Sequence, residues 1–130
     1  MRLLMRQHGF EPREIMSKLW MSNSHLKEIE SNGHLVGLHS FSHPTTMHLL
    51  DSTTQRREYA MNYEQLLEVL KSPPVSMSHP CGNYNSDTLR ILAGLGIRIG
   101  FRSNNSVNSI RSALEVPRED HAIVLKEMQA

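Results

Sequence analysis

A short apolar run, a loop bearing His and Pro, and then a helical stretch follow one another twice along this chain, without any repeat of sequence. His34-Leu35-Val36-Gly37-Leu38 is apolar enough for a buried strand, and His39 to Met47 is a loop in which Pro44 blocks regular structure. Ser52 to Ser72 predicts a long helix, with Tyr59, Tyr63, Leu66, Leu67 and Leu70 on one face and Pro73-Pro74 as its stop. Val75-Ser76-Met77-Ser78 predicts a second strand, and His79 to Asn85, with Pro80 and Gly82, a second loop. Ser86 or Asp87 then caps a helix through Leu95, with Leu89, Leu92 and Leu95 inward and Gly96 as its C′ residue. Ile97 to Phe101 predicts a third strand, residues 102–115 read as polar and irregular, and His121 to Leu125 predicts a last strand. Upstream, Leu19, Leu26 and Ile29 are spaced for one helical face that Gly33 closes, and Glu11-Pro12 opens a short helix. Strands alternating with helices at this pace predict an α/β fold with a mostly parallel sheet. Chemistry in such sheets gathers at the carboxyl ends of strands, so the His39 and His79 loops should share one face.

A length of 130 residues is that of one domain, or part of one. The 14 Lys and Arg nearly balance the 13 Asp and Glu, for a net charge of +1. With no basic stripe and no acidic tail, this argues against a dedicated nucleic-acid or polybasic membrane binder. Eight His outnumber the aromatics (one Trp, three Tyr, three Phe), which directs attention to imidazole chemistry. The core should be aliphatic and Met-rich, with Met5, Met16, Met21, Met47, Met61 and Met77 as filler. A single Cys excludes an intrachain disulfide and a cysteine-based zinc site. No apolar stretch approaches the ~18 residues of a membrane span, and Met1 to Arg6 is too short for a signal peptide. The compartment stays open on these grounds.

Two constellations could carry chemistry. In His39-Ser40-Phe41-Ser42-His43, two imidazoles four residues apart at a strand end can turn to one point. Neutral imidazole suits zinc and other late first-row divalent metals, and Ser40 and Ser42 could orient the rings. Two surface histidines in a polar loop would read the same way, and spacing marks no third ligand. In Ser78-His79-Pro80-Cys81-Gly82-Asn83-Tyr84-Asn85, Pro and Gly permit a tight turn with exposed backbone N–H groups that can stabilise an oxyanion. Cys81 could instead be a nucleophile with His79 two residues away, or the segment could be an ordinary turn with a small buried Cys. His34 reads as a satisfied structural residue and His48 as an extra ligand or, in preference, a surface residue, while His8, His25 and His121 have no partner pattern. Glu11 and Glu14 read as solvated, and Arg118-Glu119-Asp120 as a charged turn.

These residues resemble a known family. Asn32-Gly33-His34-Leu35-Val36-Gly37-Leu38-His39-Ser40-Phe41-Ser42-His43-Pro44 resembles the second motif of the NodB-homology polysaccharide deacetylases, a carbohydrate esterase family 4-like group. Leu26-Lys27-Glu28-Ile29 resembles the helix before that motif, and Pro80-Cys81-Gly82-Asn83-Tyr84 resembles the third motif, a Pro-[Tyr/Phe]-Gly turn. Thr88-Leu89 to Gly96-Ile97 resembles the helix and strand entrance after that turn, and Val116-Pro117-Arg118 a Leu-Pro-Arg stretch near the C-terminus of some members. The resemblance covers roughly residues 20–125. It implies a distorted (β/α) barrel, a divalent metal, most simply zinc, and removal of acetyl groups from an N-acetylated sugar or polysaccharide. His39 and His43 match the two histidine ligands. The Cys81 backbone N–H matches the donor to the tetrahedral oxyanion, and Pro80 and Gly82 match the turn that lines the substrate.

The departures from the family pattern are equally specific. The first motif, Thr-Phe-Asp-Asp-Gly, supplies the catalytic base and an aspartate ligand, and no Asp precedes residue 51 here. Ser78 stands where the third motif often has Arg, Cys81 replaces its aromatic, and the last motif, Leu-x-His, has no clear counterpart. The expectation is a single, partial domain over residues 1–130, an incomplete or distorted barrel with weak or no activity unless Asp51, Asp87 or another chain segment supplies a carboxylate. The alternative is a catalytically inactive carbohydrate-binding or assembly module of the same fold. An incomplete sheet would also leave an edge through which two copies could pair.

Overall fold

The computed structural model describes residues 7–9, 18–103 and 110–129. Helix α1 spans Asn23–Ser31, α2 Ser52–Val69, α3 Ser86–Gly94 and α4 His121–Met128, with strands β1 at Ser76–Ser78 and β2 at Ile99–Phe101. Short 3-10 turns occupy Met47–Leu49, Pro80–Gly82 and Ala113–Glu115. The helix expected from Glu11-Pro12 lies outside the described residues, as do Met5, Met16 and Glu14.

Each helix start has a local cause. Ser22 accepts the His25 N–H while the His25 Nδ1 accepts the Ser22 N–H, a capping box with His in the place usually held by Glu. Asp51 accepts the Thr54 N–H at 2.9 Å and its hydroxyl at 2.7 Å to start α2. Asn85, one residue before the expected cap, accepts from Asp87 and Thr88 to start α3. Gly33 and Gly96 take positive φ after α1 and α3, as their C′ positions require. The Glu30 carboxylate then accepts the Lys71 and Ser72 N–H groups, tying α1 to the end of α2.

Strands β1 and β2 pair in parallel, with Met77 opposite Gly100. Leu38 bridges Met77 on one side and Val116 bridges Phe101 on the other, both parallel. The four segments therefore stand side by side in chain order. Leu38 and Val116 thus form the outer positions of this small sheet. Gly100 has a packing reason, since a Cβ there would lie 2.6 Å from the Leu114 carbonyl oxygen. Leu38, Met47, Tyr59, Leu66, Met77, Ile91, Leu92, Ile97 and Leu114 form one buried cluster between the helices and this sheet. Truncating a member such as Leu92 to Ala should cost about 2–5 kcal/mol. Among the described residues no helix is long and apolar enough to cross a membrane.

Several expectations need correction. The run 34–38 contributes only the Leu38 bridge, and Leu35 is 75% exposed rather than buried. His34 is exposed rather than a satisfied structural residue, and Met21 is exposed rather than core filler. On α2, Leu67 faces out, while Gln55 and Val69 are buried with Tyr59 and Leu66. The inward stripe is one helical step away from Leu67, along positions 55, 59, 66 and 69. Residues 121–125 are helix α4, not a strand, because Asp120 accepts the Ala122 N–H and nucleates a turn. His48 is half-buried, not at the surface.

Candidate functional site

The two loops do meet. His39 directly follows the Leu38 bridge, and His79 directly follows β1. The His39 Nδ1–H donates to the Ser78 carbonyl at 2.7 Å. A carbonyl can only accept, so this bond leaves the lone pair of the neutral ring on Nε2. The His43 ring lies 4.8 Å from the His39 ring, centroid to centroid, tilted by 59°. Both side chains belong to exposed residues. The chemistry of the pair fits a divalent cation, with one tautomer already set by a backbone acceptor.

The loop that presents them is strained. Ser40 and His43 have φ of 63° and 57°, a region that costs non-glycine residues about 1 kcal/mol or more. Ser40 is buried, and its Oγ accepts the His43 N–H at 3.1 Å. Two residues of α2 hold the loop from outside. Asn62 Oδ1 accepts the His39 N–H at 3.0 Å, and the two Glu58 oxygens accept the Ser42 N–H and hydroxyl at 2.8 Å each. Sequence reasoning missed both, since nothing local marks an acceptor 16 or 23 positions away.

The turn after β1 is built differently. Cys81 and Gly82 both take positive φ, 52° and 68°. The Gly82 N–H donates to the His79 carbonyl and the Asn83 N–H to the Pro80 carbonyl, and neither bond uses the Cys81 N–H. A Cβ on Gly82 would have to displace the Ser103 hydroxyl and would sit at a strained φ of 68°, so glycine is favoured there. The Cys81 side chain is exposed and free, not a small buried Cys. His79 is 1% exposed, its Nε2–H donates to the Leu114 carbonyl at 2.8 Å, and its ring stacks on Tyr84 at 4.3 Å. Burial pushes the His79 imidazole below its ordinary value, against the smaller opposing pulls of the Leu114 bond and the Glu115 charge. His79 is thus a buried support for the turn, which removes it as a base for Cys81. Burial, followed by the Glu115 carboxylate it donates to, pushes the Tyr84 phenol up.

Side-chain amides lock the two loops together. Asn83 Nδ2 donates to the Thr45 carbonyl at 2.6 Å, two residues past His43, and Asn85 Nδ2 donates to the His48 carbonyl at 2.9 Å. Beneath them Thr88 donates to Gln55 Oε1, whose Nε2 donates to the Leu50 carbonyl. The segment that follows His43 is thereby tied at Thr45 and His48 to Asn83 and Asn85, just past the turn, with a bond between α2 and α3 beneath.

Among the described residues no group of three His, Cys, Asp or Glu side chains could hold a metal. The carboxylates that the sequence offered are engaged elsewhere. Asp51 caps α2, and the Thr54 hydrogen bonds hold its carboxyl below the usual range. Asp87 pairs with Arg90 on α3.

Residues 12–100 match the family model described as polysaccharide deacetylase, well over half of the chain. Similar solved structures include the Streptococcus pyogenes deacetylase PplD in complex with acetate, at 24% identity and a TM-score of 0.69, over 77% of this chain and 45% of that one. IcaB from Ammonifex degensii is similar at 24% identity and a TM-score of 0.65, over 75% of this chain and 46% of that one. A CE4-family pseudoenzyme from Bacillus anthracis is similar at 17% identity and a TM-score of 0.54, over 72% of this chain and 34% of that one. The chain thus spans less than half the length of these structures, and the likeness is one of fold. No curated protein matches the chain. With the family's pattern running through both the His39–His43 loop and the Pro80–Gly82 turn, the chain belongs to the polysaccharide deacetylase family.

Proposed function

We propose that the His39–His43 loop and the Pro80–Gly82 turn form the metal-binding and oxyanion half of a carbohydrate N-deacetylase site, with weak or no turnover in this chain alone. The observation that carries this reading is the His39 Nδ1–H bond to the Ser78 carbonyl, beside a second imidazole 4.8 Å away. It leaves the His39 Nε2 open beside the second ring, as a pair of imidazole ligands requires. His39 and His43 would hold a divalent cation, zinc being the simplest match to paired imidazoles. Such a cation supplies Lewis acidity toward an acetamide carbonyl. The Cys81 backbone N–H, not used by the turn's own bonds, is the donor for the developing oxyanion. Pro80 and Gly82 shape the edge against which the sugar lies. A cavity of about 670 Å³ beside Tyr84, Asn85, Arg102 and Glu115 has the size of a small-ligand site and a mixed polar lining suited to sugar hydroxyls. Residues 1–130 are read as one unit, part of a distorted barrel of the NodB type.

A second reading, an inactive carbohydrate-binding or assembly module of the same fold, is favoured by the commitment of Asp51 and Asp87 to other roles. Without a base, a loss of about 10²–10⁴-fold in rate is expected. Zinc titration by calorimetry on chelator-stripped protein, beside His39→Ala and His43→Ala, separates the two. One bound zinc, lost in both variants, with little release of acetate from N-acetylglucosamine oligomers, supports the first reading. Binding that is absent, or unchanged in the variants, makes the His pair a relic and leaves the module. Ordinary turnover on the oligomers would overturn the claim of a deficient site.

A further inference from the structure

We infer that Glu58 and Asn62 are positioning residues, a two-point clamp on α2 that sets the spacing of the His39 and His43 rings. The inference rests on the metal-loop reading above for its purpose, though not for its geometry. Glu58 and Asn62 are four residues apart, so they sit one above the other on one face of α2. The neighbouring stripe of α2, including the buried Tyr59 and Leu66, packs into the core, so the clamp is mounted on a rigid element.

The clamp grips the loop on either side of Ser40 and directly before His43. Asn62 takes the His39 N–H, where the loop leaves the sheet. Glu58 takes both the N–H and the hydroxyl of Ser42, just before His43. Between these points Ser40 stands at φ 63°, and His43 itself stands at φ 57°. A free chain would relax such residues toward negative φ. Two fixed points together with the internal Ser40–His43 bond keep them where they are. Both oxygens of Glu58 are engaged by Ser42, so its role is to hold the loop and not to ligate alongside the imidazoles. An ionised acceptor suits this task, because charge-assisted bonds are shorter and stronger than neutral ones.

The test uses metal-free protein first. Amide hydrogen exchange is followed by NMR in the wild type, Glu58→Ala, Glu58→Gln, Asn62→Leu and Asn62→Asp. Glu58→Ala should speed exchange at Ser42 by about tenfold or more and leave Tyr59 and Met77 unchanged. Asn62→Leu should do the same at His39, and Asn62→Asp, which keeps an acceptor oxygen, should restore protection. Glu58→Gln, which retains one acceptor and the same bulk, should fall between and serves if Glu58→Ala does not fold. Zinc affinity, measured next by calorimetry, should weaken about 10–100-fold in Glu58→Ala and Asn62→Leu. Unchanged exchange at His39 and Ser42 in both truncations overturns the clamp. Faster exchange with unchanged zinc affinity overturns its positioning role. If the wild type binds no zinc, the metal reading fails while the exchange rates still decide the clamp.

Discussion

The His39–His43 loop and the Pro80–Gly82 turn end neighbouring parallel segments, and each holds a non-glycine residue in the left-handed region, yet they are restrained in opposite ways. The His loop is exposed and is held by side chains reaching across from α2. The turn is held by its own backbone and by a buried ring beneath it, with His79 stacked on Tyr84 and bonded to Leu114. The difference suits their proposed tasks. A ligand-presenting loop needs its side chains free, so its restraints come from outside. A backbone donor needs only its own peptide held still, so the support can lie in the core.

Breaking that contrast should give effects of very different size. The largest is expected for His79→Ala, which removes a buried ring and leaves the Leu114 carbonyl without its donor. A loss on the order of 3 kcal/mol is expected in denaturant unfolding, and a loss well under about 1 kcal/mol would mean that the turn stands on its backbone alone. Glu58→Ala should cost about 1 kcal/mol in the same assay although it removes two hydrogen bonds, since water can reach the half-exposed site. Should its cost equal that of His79→Ala, the His loop would be part of the core and the contrast would collapse.

A pair of glycine substitutions sharpens the comparison. Cys81→Gly relieves a left-handed residue whose side chain is exposed, and a stabilisation of about 0.5 kcal/mol is expected. Ser40→Gly relieves the same backbone strain but deletes the acceptor of the His43 N–H, so a destabilisation of about 0.5–1 kcal/mol is expected. Shifts of the same sign in thermal melts would show that side-chain acceptors do not distinguish the two loops.

The smallest effect is a slope with pH. Burial lowers the His79 pKa in the fold from its ordinary 6.5. The unfolded chain therefore takes up the proton first as pH falls, and stability drops below about pH 6.5 until the folded pKa is reached. In His79→Gln, which keeps an N–H donor but does not titrate there, this part of the slope should vanish. A slope identical in the variant would place its origin elsewhere.

How much of the site is legible in the sequence depends on the range of the interactions. His39, His43, Pro80 and Gly82 stand out because the proposed metal-binding pair and a tight turn each require particular residue types within a few positions of one another. Helix α2 is legible from its apolar positions and the Pro73-Pro74 stop, apart from the displaced Leu67. Legibility fails where the partner is distant. Spacing makes His79 no obvious base for Cys81 and assigns it no other task, and only its bond to the Leu114 carbonyl, 35 positions on, makes it a buried support. The apolar run 34–38 reads as a full strand, but the pairing involves Leu38 alone. The opposite error occurs at 121–125, where Ile, Val and Leu suggest a strand and the Asp120 cap makes a helix none of whose residues is buried.

By itself, then, the amino-acid order determined the alternation of helices and strands, the family motifs and the two loops in which chemistry could gather. These depend on local backbone preferences and on side chains close in the chain, which act before any long-range contact forms. The tertiary structure decided which nitrogen of His39 is free, which residues of α2 restrain the His loop, and that Asp51 and Asp87 are engaged elsewhere. Those outcomes depend on which hydrogen-bonding groups the packed core brings within about 3 Å of one another, and a sequence read along its length carries no measure of that distance.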